Sequence, residues 1–301
     1  MGKGFYDAYP AAKAVFDEVD EALGEKLSAL IFQGPEETLR LTANAQPALM
    51  AVSLGAWRAL QAEGVSAEDG VLFAGHSLGE YSALAAADAL SVGQTAKLLR
   101  LRGEAMQAAV PAGEGAMAAR LGLEPEVAEA VAAEAAGDQV CELANDNAPG
   151  QSVVSGDAAA VERAVEIAKG KGAKRAVMLP VSAPFHCQLM APAAEAMAAA
   201  LSEATINAPK KPVLANVSVT LLDEPDAIRD SLVAQVTGRV RWRESMVSAA
   251  GMGVTHLAEI GAGKVLSGLA KRLARSLNAV AVHEHGDCAA LTAILGKSAH
   301  V

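Results

Sequence analysis

Apolar positions along this chain alternate between helical spacing and short apolar runs, and the order of the switches predicts the architecture. Residues 6–23 carry apolar side chains at a helical period, and residues 47–63 read as a long helix that follows a polar stretch, 42–46. The apolar run 71–74 reads as a strand leading to a helix-forming segment, 81–90, and a further helix, 92–110, stops near Pro111 and Gly113. From Gly115 the texture changes. Strands over 116–121, 140–145, 152–155 and 173–179 alternate with helices over 125–136 and 158–171, and Asn145-Asp146-Asn147-Ala148-Pro149-Gly150 reads as the turn between the second and third strands. That order, βαββαβ, is the ferredoxin-like pattern, so residues 112–182 are expected to form a small domain inserted between residues 1–111 and 183–301; the alternative is that these strands continue the main sheet. Beyond it come a loop (181–187), a helix (190–203), a strand (213–217), two helices (227–237 and 243–252) and a strand (256–260). This last strand runs through Gly261-Ala262-Gly263-Lys264 into a helix over 265–275. The glycine loop lacks the spacing of a phosphate-binding motif and reads as a structural turn.

Composition narrows the class. A chain of 301 residues, 52% hydrophobic but 3% aromatic, buries a core of Ala, Val and Leu. A net charge of −10 argues against a nucleic-acid surface, which needs clustered cations. Local basic groups at Lys169, Lys171, Lys174 and Arg175 and at Lys271, Arg272 and Arg275 read as solvated faces, either of which an acidic partner can use. Three widely spaced cysteines, Cys141, Cys187 and Cys288, suit a reducing compartment, and no segment reads as a secretory signal or membrane span. A cytoplasmic monomer without a membrane or nucleic-acid partner is the expectation.

The chemistry starts at Gly75-His76-Ser77-Leu78-Gly79. A G-x-S-x-G sequence between a strand and a helix is a nucleophile elbow, in which the serine hydroxyl stands above the sheet and the Leu78 N–H points to where an oxyanion forms. This context predicts an α/β-hydrolase-like parallel-sheet core, with both Gly75 and Gly79 required by close backbone approach. A serine needs a base. His76 adjoins it but diverges from it, as neighbouring side chains at an elbow do, and reads as a packing or positioning residue. His186, in a loop preset by Pro184, is the better candidate, against the plain reading of a partly buried histidine. Arg102 either clamps a substrate carboxylate or pairs on the helix surface with Glu104. His283, Glu284 and His285 alternate as on one face of a strand, with Asp287 and Cys288 close by, but without a second ligand cluster they read as solvated surface; His256 and His300 complete the histidines, and no metal is expected.

Several motifs together resemble the malonyl-CoA:acyl carrier protein transacylases of fatty-acid synthesis. They are the Gly75–Leu84 segment, Arg102-Gly103 with Met106-Gln107, Asn147-Ala148-Pro149-Gly150-Gln151, Pro184-Phe185-His186-Cys187, Gln46-Pro47-Ala48-Leu49 and the segment from Glu259 to Leu266. The resemblance implies a ping-pong transfer in which Ser77 takes the malonyl group from coenzyme A and passes it to the phosphopantetheine thiol of acyl carrier protein. His186 is then base and acid, the main-chain carbonyl of Gln235 orients it, and Arg102 holds the malonate carboxylate. Gln46, His76, Asn147 and Phe185 are the further substrate-binding residues, with Phe185 crowding an α-methyl branch at about 1–3 kcal/mol. No metal or cofactor is implied beyond the substrates.

The family normally opens with a strand and a Phe-Pro-Gly-Gln-Gly-Ser-Gln loop whose first glutamine helps to form the oxyanion hole. This chain begins at Met1-Gly2-Lys3-Gly4, just past that loop, so the expectation is one strand and one oxyanion donor fewer, a loss of about 10²–10³ in rate. The rival readings are a serine thioesterase or hydrolase, an acyltransferase of a polyketide pathway, and a catalytically impaired carrier-binding protein.

Overall fold

The computed structural model describes residues 1–301 apart from 120, 121, 174, 275 and 298–301, so Leu121, Lys174, Arg275 and His300 lie outside the described residues. Helices α1 (Lys3–Ala8), α2 (Pro10–Leu23), α3 (Leu27–Gln33), α4 (Glu36–Leu39) and α5 (Thr42–Ala62) open the chain. Pro10 starts α2 where a missing N–H costs nothing, and Gly24, in the left-handed region, ends it. Strand β1 (Phe73–Ala74) then leads to α6 (Leu78–Ala86) and α7 (Val92–Ala108). Val15, Phe16 and Val19 recur on one face of α2 and pack with Met50, Val52 and Leu54 of α5 and Leu98 and Leu99 of α7.

The middle of the chain supplies β2 (Gly115–Ala119), α8 (Pro125–Ala136), β3 (Cys141–Ala148), β4 (Gln151–Asp157), α9 (Ala158–Gly170) and β5 (Val177–Met178). These strands form an antiparallel four-stranded sheet in the ferredoxin-like order β3-β4-β2-β5. Ala118 and Val154 on one face of it share a core with Ala128 and Val131 of α8 and Val161 and Ala164 of α9, while Met117, Ala144 and Val153 on the other face pack against Phe185. Then follow α10 (Ala191–Ser202), β6 (Val213–Leu214), β7 (Leu221–Leu222), α11 (Pro225–Thr237), α12 (Trp242–Gly251), β8 (His256–Ile260), α13 (Val265–Leu273), β9 (Asn278–Val282) and α14 (Cys288–Ile294). β1 pairs in parallel with β6, Phe73 opposite Val213 and Ala74 opposite Leu214, so the chain leaves two neighbouring strand ends just before Ser77 and Asn216. Ligand sites of α/β folds gather at such carboxyl ends of parallel strands.

The fold is α/β, with an α/β-hydrolase-like core and a small ferredoxin-like sheet, and it corrects several details. Among the named strands of the described residues the parallel pairs are β1 with β6 and β8 with β9, in separate sheets, and β7 joins β6 antiparallel. The polar stretch 42–46 is helical, because its side chains find partners: Asn44 bonds the Thr38 carbonyl and Arg100, and Gln46 is buried. Residues 145–148 belong to β3 and not to a turn. Asp146 pairs with Arg243 at 2.7 Å and Asn147 with His76 at 2.7 Å, leaving Pro149 and Gly150 (φ 69°) to turn the chain. β5 is shorter than expected because only two residue pairs join it to β2. His283–His285 leave the strand: β9 ends at Val282, and Asp287 accepts from the N–H groups of His283 and Glu284 to cap a short turn. At the glycine loop before α13, Glu259 accepts from the N–H groups of Leu266 and Ser267 at 3.0 and 2.7 Å and so occupies two of the first helix donors.

The two elbow glycines differ. A Cβ on Gly75 would lie 1.9 Å from the Gly79 carbonyl oxygen, whereas a Cβ on Gly79 meets nothing within 4 Å, so Gly75 alone is fixed by contact. Gly75→Ala is therefore expected to lower stability by about 3 kcal/mol or more, the scale of an overpacked site against backbone. Gly79→Ala should stay within about 1 kcal/mol of the parent, on the stabilising side for a helical position. Denaturant unfolding of both variants checks this, and equal losses would contradict it.

Candidate active site

Between β1 and α6 the backbone turns at Ser77 with φ 53° and ψ −116°, a conformation that costs a residue with a Cβ about 1–3 kcal/mol. Asn216, two residues beyond β6, holds it: its Oδ1 accepts from the Ser77 N–H at 2.7 Å and its Nδ2 donates to the Gly75 carbonyl at 2.7 Å. The Leu78 N–H opens α6, where the first donors have no carbonyl a turn earlier, and it has no protein partner among the described residues. It offers a developing oxyanion a hydrogen bond at the positive end of the helix.

The Ser77 hydroxyl meets His186 Nε2 at 2.7 Å. His186 is itself at a positive φ of 59° and is buried. On its far side, Nδ1–H donates to the main-chain carbonyls of Gln235 at 2.9 Å and Gly238 at 3.1 Å. Those carbonyls are available because α11 ends at Thr237, and the last carbonyls of a helix have no helical donor. Two acceptors at Nδ1 place the ring proton there and leave Nε2 to take the serine proton. They also favour the imidazolium that forms when it does. Burial, followed by the charge of Arg102, pushes the resting imidazole down to about 3 from an ordinary 6.5.

Arg102 turns inward from α7 and is 1% exposed. Gly103 makes this possible, because a Cβ there would fall 2.6 Å from the Thr42 carbonyl oxygen, so α7 lies against the start of α5. The guanidinium donates to Gln46 Oε1 at 2.7 Å, Gln235 Oε1 at 3.0 Å and Ser77 Oγ at 3.3 Å, and lies 5.8 Å from the Tyr81 ring centre. Its Nε has no partner among the described residues. The surface pair with Glu104 is not formed; Glu104 is exposed. A buried cation beside the nucleophile, bonded to neutral oxygens, is a ready site for an acyl group that carries its own anion.

The structure thus brings Ser77, Leu78, His186, Gln235, Arg102 and Gln46 into one network. His76 and Asn147 form a separate pair beside it, with the His76 ring 5.7 Å from that of Trp242 and its pKa lowered by burial. Phe185 packs between the main core and the small sheet, directly before the base. Sequence reasoning missed Asn216 and gave Glu80 no role. Glu80 is fully buried; burial pushes its carboxyl up to about 7, against the opposing pull of the Gln235 side chain, the Asn216 N–H, Ser231 and Arg102. The available signals were a lone asparagine at the end of an apolar strand and a carboxylate one turn into the elbow helix. Among the described residues no three His, Cys, Asp or Glu side chains converge as metal ligands, and no helix is long and apolar enough to cross a membrane.

Comparison with known proteins follows the same lines. The sequence pattern of the acyl transferase domain family matches residues 1–290. The malonyl CoA-acyl carrier protein transacylase of Bacillus subtilis (strain 168) is 48% identical over 285 residues, 94% of this chain and 89% of the relative. The crystal structure of an acyl-carrier-protein S-malonyltransferase from Bartonella henselae superposes with a TM-score of 0.96 at 54% identity, covering 98% of this chain and 95% of that one. A malonyl-transacylase solved in complex with a type II PKS acyl carrier protein gives 0.94 at 43% identity, covering 99% and 95%.

The lowered pKa keeps Nε2 unprotonated below the ordinary imidazole range, so the acid limb for acylation of Ser77 by a thioester is expected below pH 6.5. The unfolded chain takes up that proton first, and stability accordingly falls as the pH drops from 6.5 towards about 3. Rapid-quench acylation rates across pH check the first statement, and a limb at or above 6.5 contradicts it. Asn216→Leu strands the Ser77 N–H and the Gly75 carbonyl at about 1–3 kcal/mol each. It is expected to lower both the unfolding midpoint and the rate of Ser77 acylation; loss of neither would contradict the elbow clamp.

Proposed function

Because the chain belongs to the acyl transferase domain family, alongside the malonyl-CoA:acyl carrier protein transacylases, we infer that it moves a malonyl group from malonyl-CoA to the phosphopantetheine thiol of acyl carrier protein in fatty-acid synthesis. The observation that carries this reading is the buried Arg102 guanidinium 3.3 Å from a serine that also bonds a neutral histidine.

Ser77 Oγ attacks the thioester carbonyl while its proton passes to His186 Nε2. The oxyanion is held by the Leu78 N–H, and the imidazolium by the carbonyls of Gln235 and Gly238. Collapse of the tetrahedral adduct breaks the C–S bond; coenzyme A leaves with the proton from His186, and a malonyl ester remains on Ser77. The carrier thiol then gives its proton to Nε2, its sulfur attacks the ester carbonyl, and Ser77 leaves with that proton. Arg102 pairs with the malonate carboxylate throughout, which distinguishes this site from that of a hydrolase of neutral acyl groups. Gln46 holds the other side of the guanidinium, and Phe185, His76 and Asn147 are read as walls of the acyl and pantetheine space. The transfer draws its nucleophile, base and charge clamp from side chains, and on this reading calls for no metal or prosthetic group. Residues 112–182 are taken as the inserted unit whose inner sheet face backs Phe185. The three cysteines, all buried and free, support a cytoplasmic protein.

Labelled malonyl-CoA should leave a labelled enzyme ester that holo acyl carrier protein discharges onto its own thiol; release of free malonate in place of carrier labelling would make the protein a hydrolase. Arg102→Ala should lower kcat/KM for malonyl-CoA by about 10²-fold, the scale of removing one partner of a buried charge pair, and that for acetyl-CoA much less. Unchanged malonyl preference would remove Arg102 from the acyl clamp.

A further inference from the structure

Glu80, in the first turn of α6, is 0% exposed, and the transfer chemistry does not use it. Its Oε2 accepts from Gln235 Nε2 at 2.8 Å and from the Asn216 N–H at 3.0 Å, and its Oε1 faces Ser231 Oγ at 3.4 Å. All three donors are neutral. A carboxyl group kept out of water on neutral donors is costly to ionise, and here its Oε2 controls the orientation of one amide.

The Gln235 side chain has a donor end and an acceptor end. Glu80 Oε2 already accepts from the Asn216 N–H, which can only donate, so it is an acceptor whether or not the carboxyl holds a proton on Oε1; Gln235 Nε2 therefore faces Glu80 and the Ser77 carbonyl (3.1 Å), and Oε1 faces Arg102 Nη2 (3.0 Å). Turned the other way, Gln235 Oε1 would meet Glu80 Oε2 and a carbonyl, acceptor against acceptor, and Nε2 would meet the guanidinium, donor against donor. We propose that Glu80 is a positioning residue for the transfer: through the Gln235 amide it fixes the Arg102 guanidinium, and with it the preference for an acyl group that ends in a carboxylate. The base is independent of this device, since His186 bonds the main-chain carbonyls of Gln235 and Gly238 and not the amide. Release of the amide therefore disturbs the clamp and leaves the base in place.

The proposal rests on the malonyl-transfer reading, and acylation kinetics with malonyl-CoA and acetyl-CoA separate the two. In Glu80→Ala the malonyl-to-acetyl ratio of kcat/KM is expected to fall about tenfold or more, through a raised KM for malonyl-CoA, the scale of one hydrogen bond to a charged group. The acid limb of the acetyl reaction should keep its position. Glu80→Gln can keep an oxygen towards Gln235 and Asn216 and turn its nitrogen to Ser231, so it is expected to stay within about threefold of the parent ratio. Glu80→Asp keeps the charge but retracts the acceptor, and should lose the ratio as Ala does; it serves also if the Ala variant does not fold. A Gln variant that loses as much as Asp, or an equal loss on both substrates in Ala and Asp, overturns the proposal. A parent enzyme with no malonyl preference overturns the transfer reading itself, and the proposal with it.

Discussion

The backbone of Ser77 is the constraint on which the site depends. A serine at φ 53° is stable only where its surroundings over-determine it, and here they do. Gly75 lets the Gly79 carbonyl come to within 1.9 Å of where a side chain would begin, and Asn216 ties the N–H of Ser77 and the carbonyl of Gly75 together. Asn216 is in reach because β1 and β6 are adjacent and parallel, so two pairs of residues in register set the position of the nucleophile. The strain then aims Oγ at His186 and Arg102 at the same time.

Helix ends supply much of the electrostatics around that hydroxyl. The start of α6 puts the Leu78 N–H where negative charge develops, and the end of α11 puts two free carbonyls where positive charge develops on His186. No carboxylate is needed behind the histidine. A buried carboxyl group, Glu80, lies instead on the side of Arg102, where it orders an amide in place of a base. Burial first and Arg102 second lower the resting pKa of His186, and on the malonyl-transfer reading a substrate carboxylate at Arg102 relieves the second of these.

Much of this was legible in the sequence wherever a period or a steric rule governs. The strand-turn-helix around Ser77, the βαββαβ order, and the bounds of Pro125–Ala136 and His256–Ile260 follow from apolar spacing and turn residues. Loop context ranked His186 above His76 and marked Arg102 as a candidate clamp, while family resemblance supplied Gln235 and the role of Arg102 that spacing alone left open. Polar segments were the weak point. Residues 42–46 and 145–148 look like loops, yet they are helix and strand because Gln46, Asp146 and Asn147 meet partners far away in sequence. Asn216 and Glu80 escaped for the same reason, since their partners lie more than a hundred residues away and their local signals are too common to mark a role. The inward turn of Arg102 depends on the approach of α7 to α5 at Gly103, a tertiary fact that helical spacing does not contain.

The structure of the enzyme trapped as its acyl intermediate, by soaking with malonyl-CoA in the absence of carrier, shows where the acyl group is bound. A malonyl ester on Ser77 Oγ is expected, its carboxylate hydrogen-bonded to the Arg102 guanidinium, with Gln235 still bonded to Glu80 and His186 still on its two carbonyls. An ester on another residue, or a carboxylate turned away from Arg102 into solvent, would contradict it.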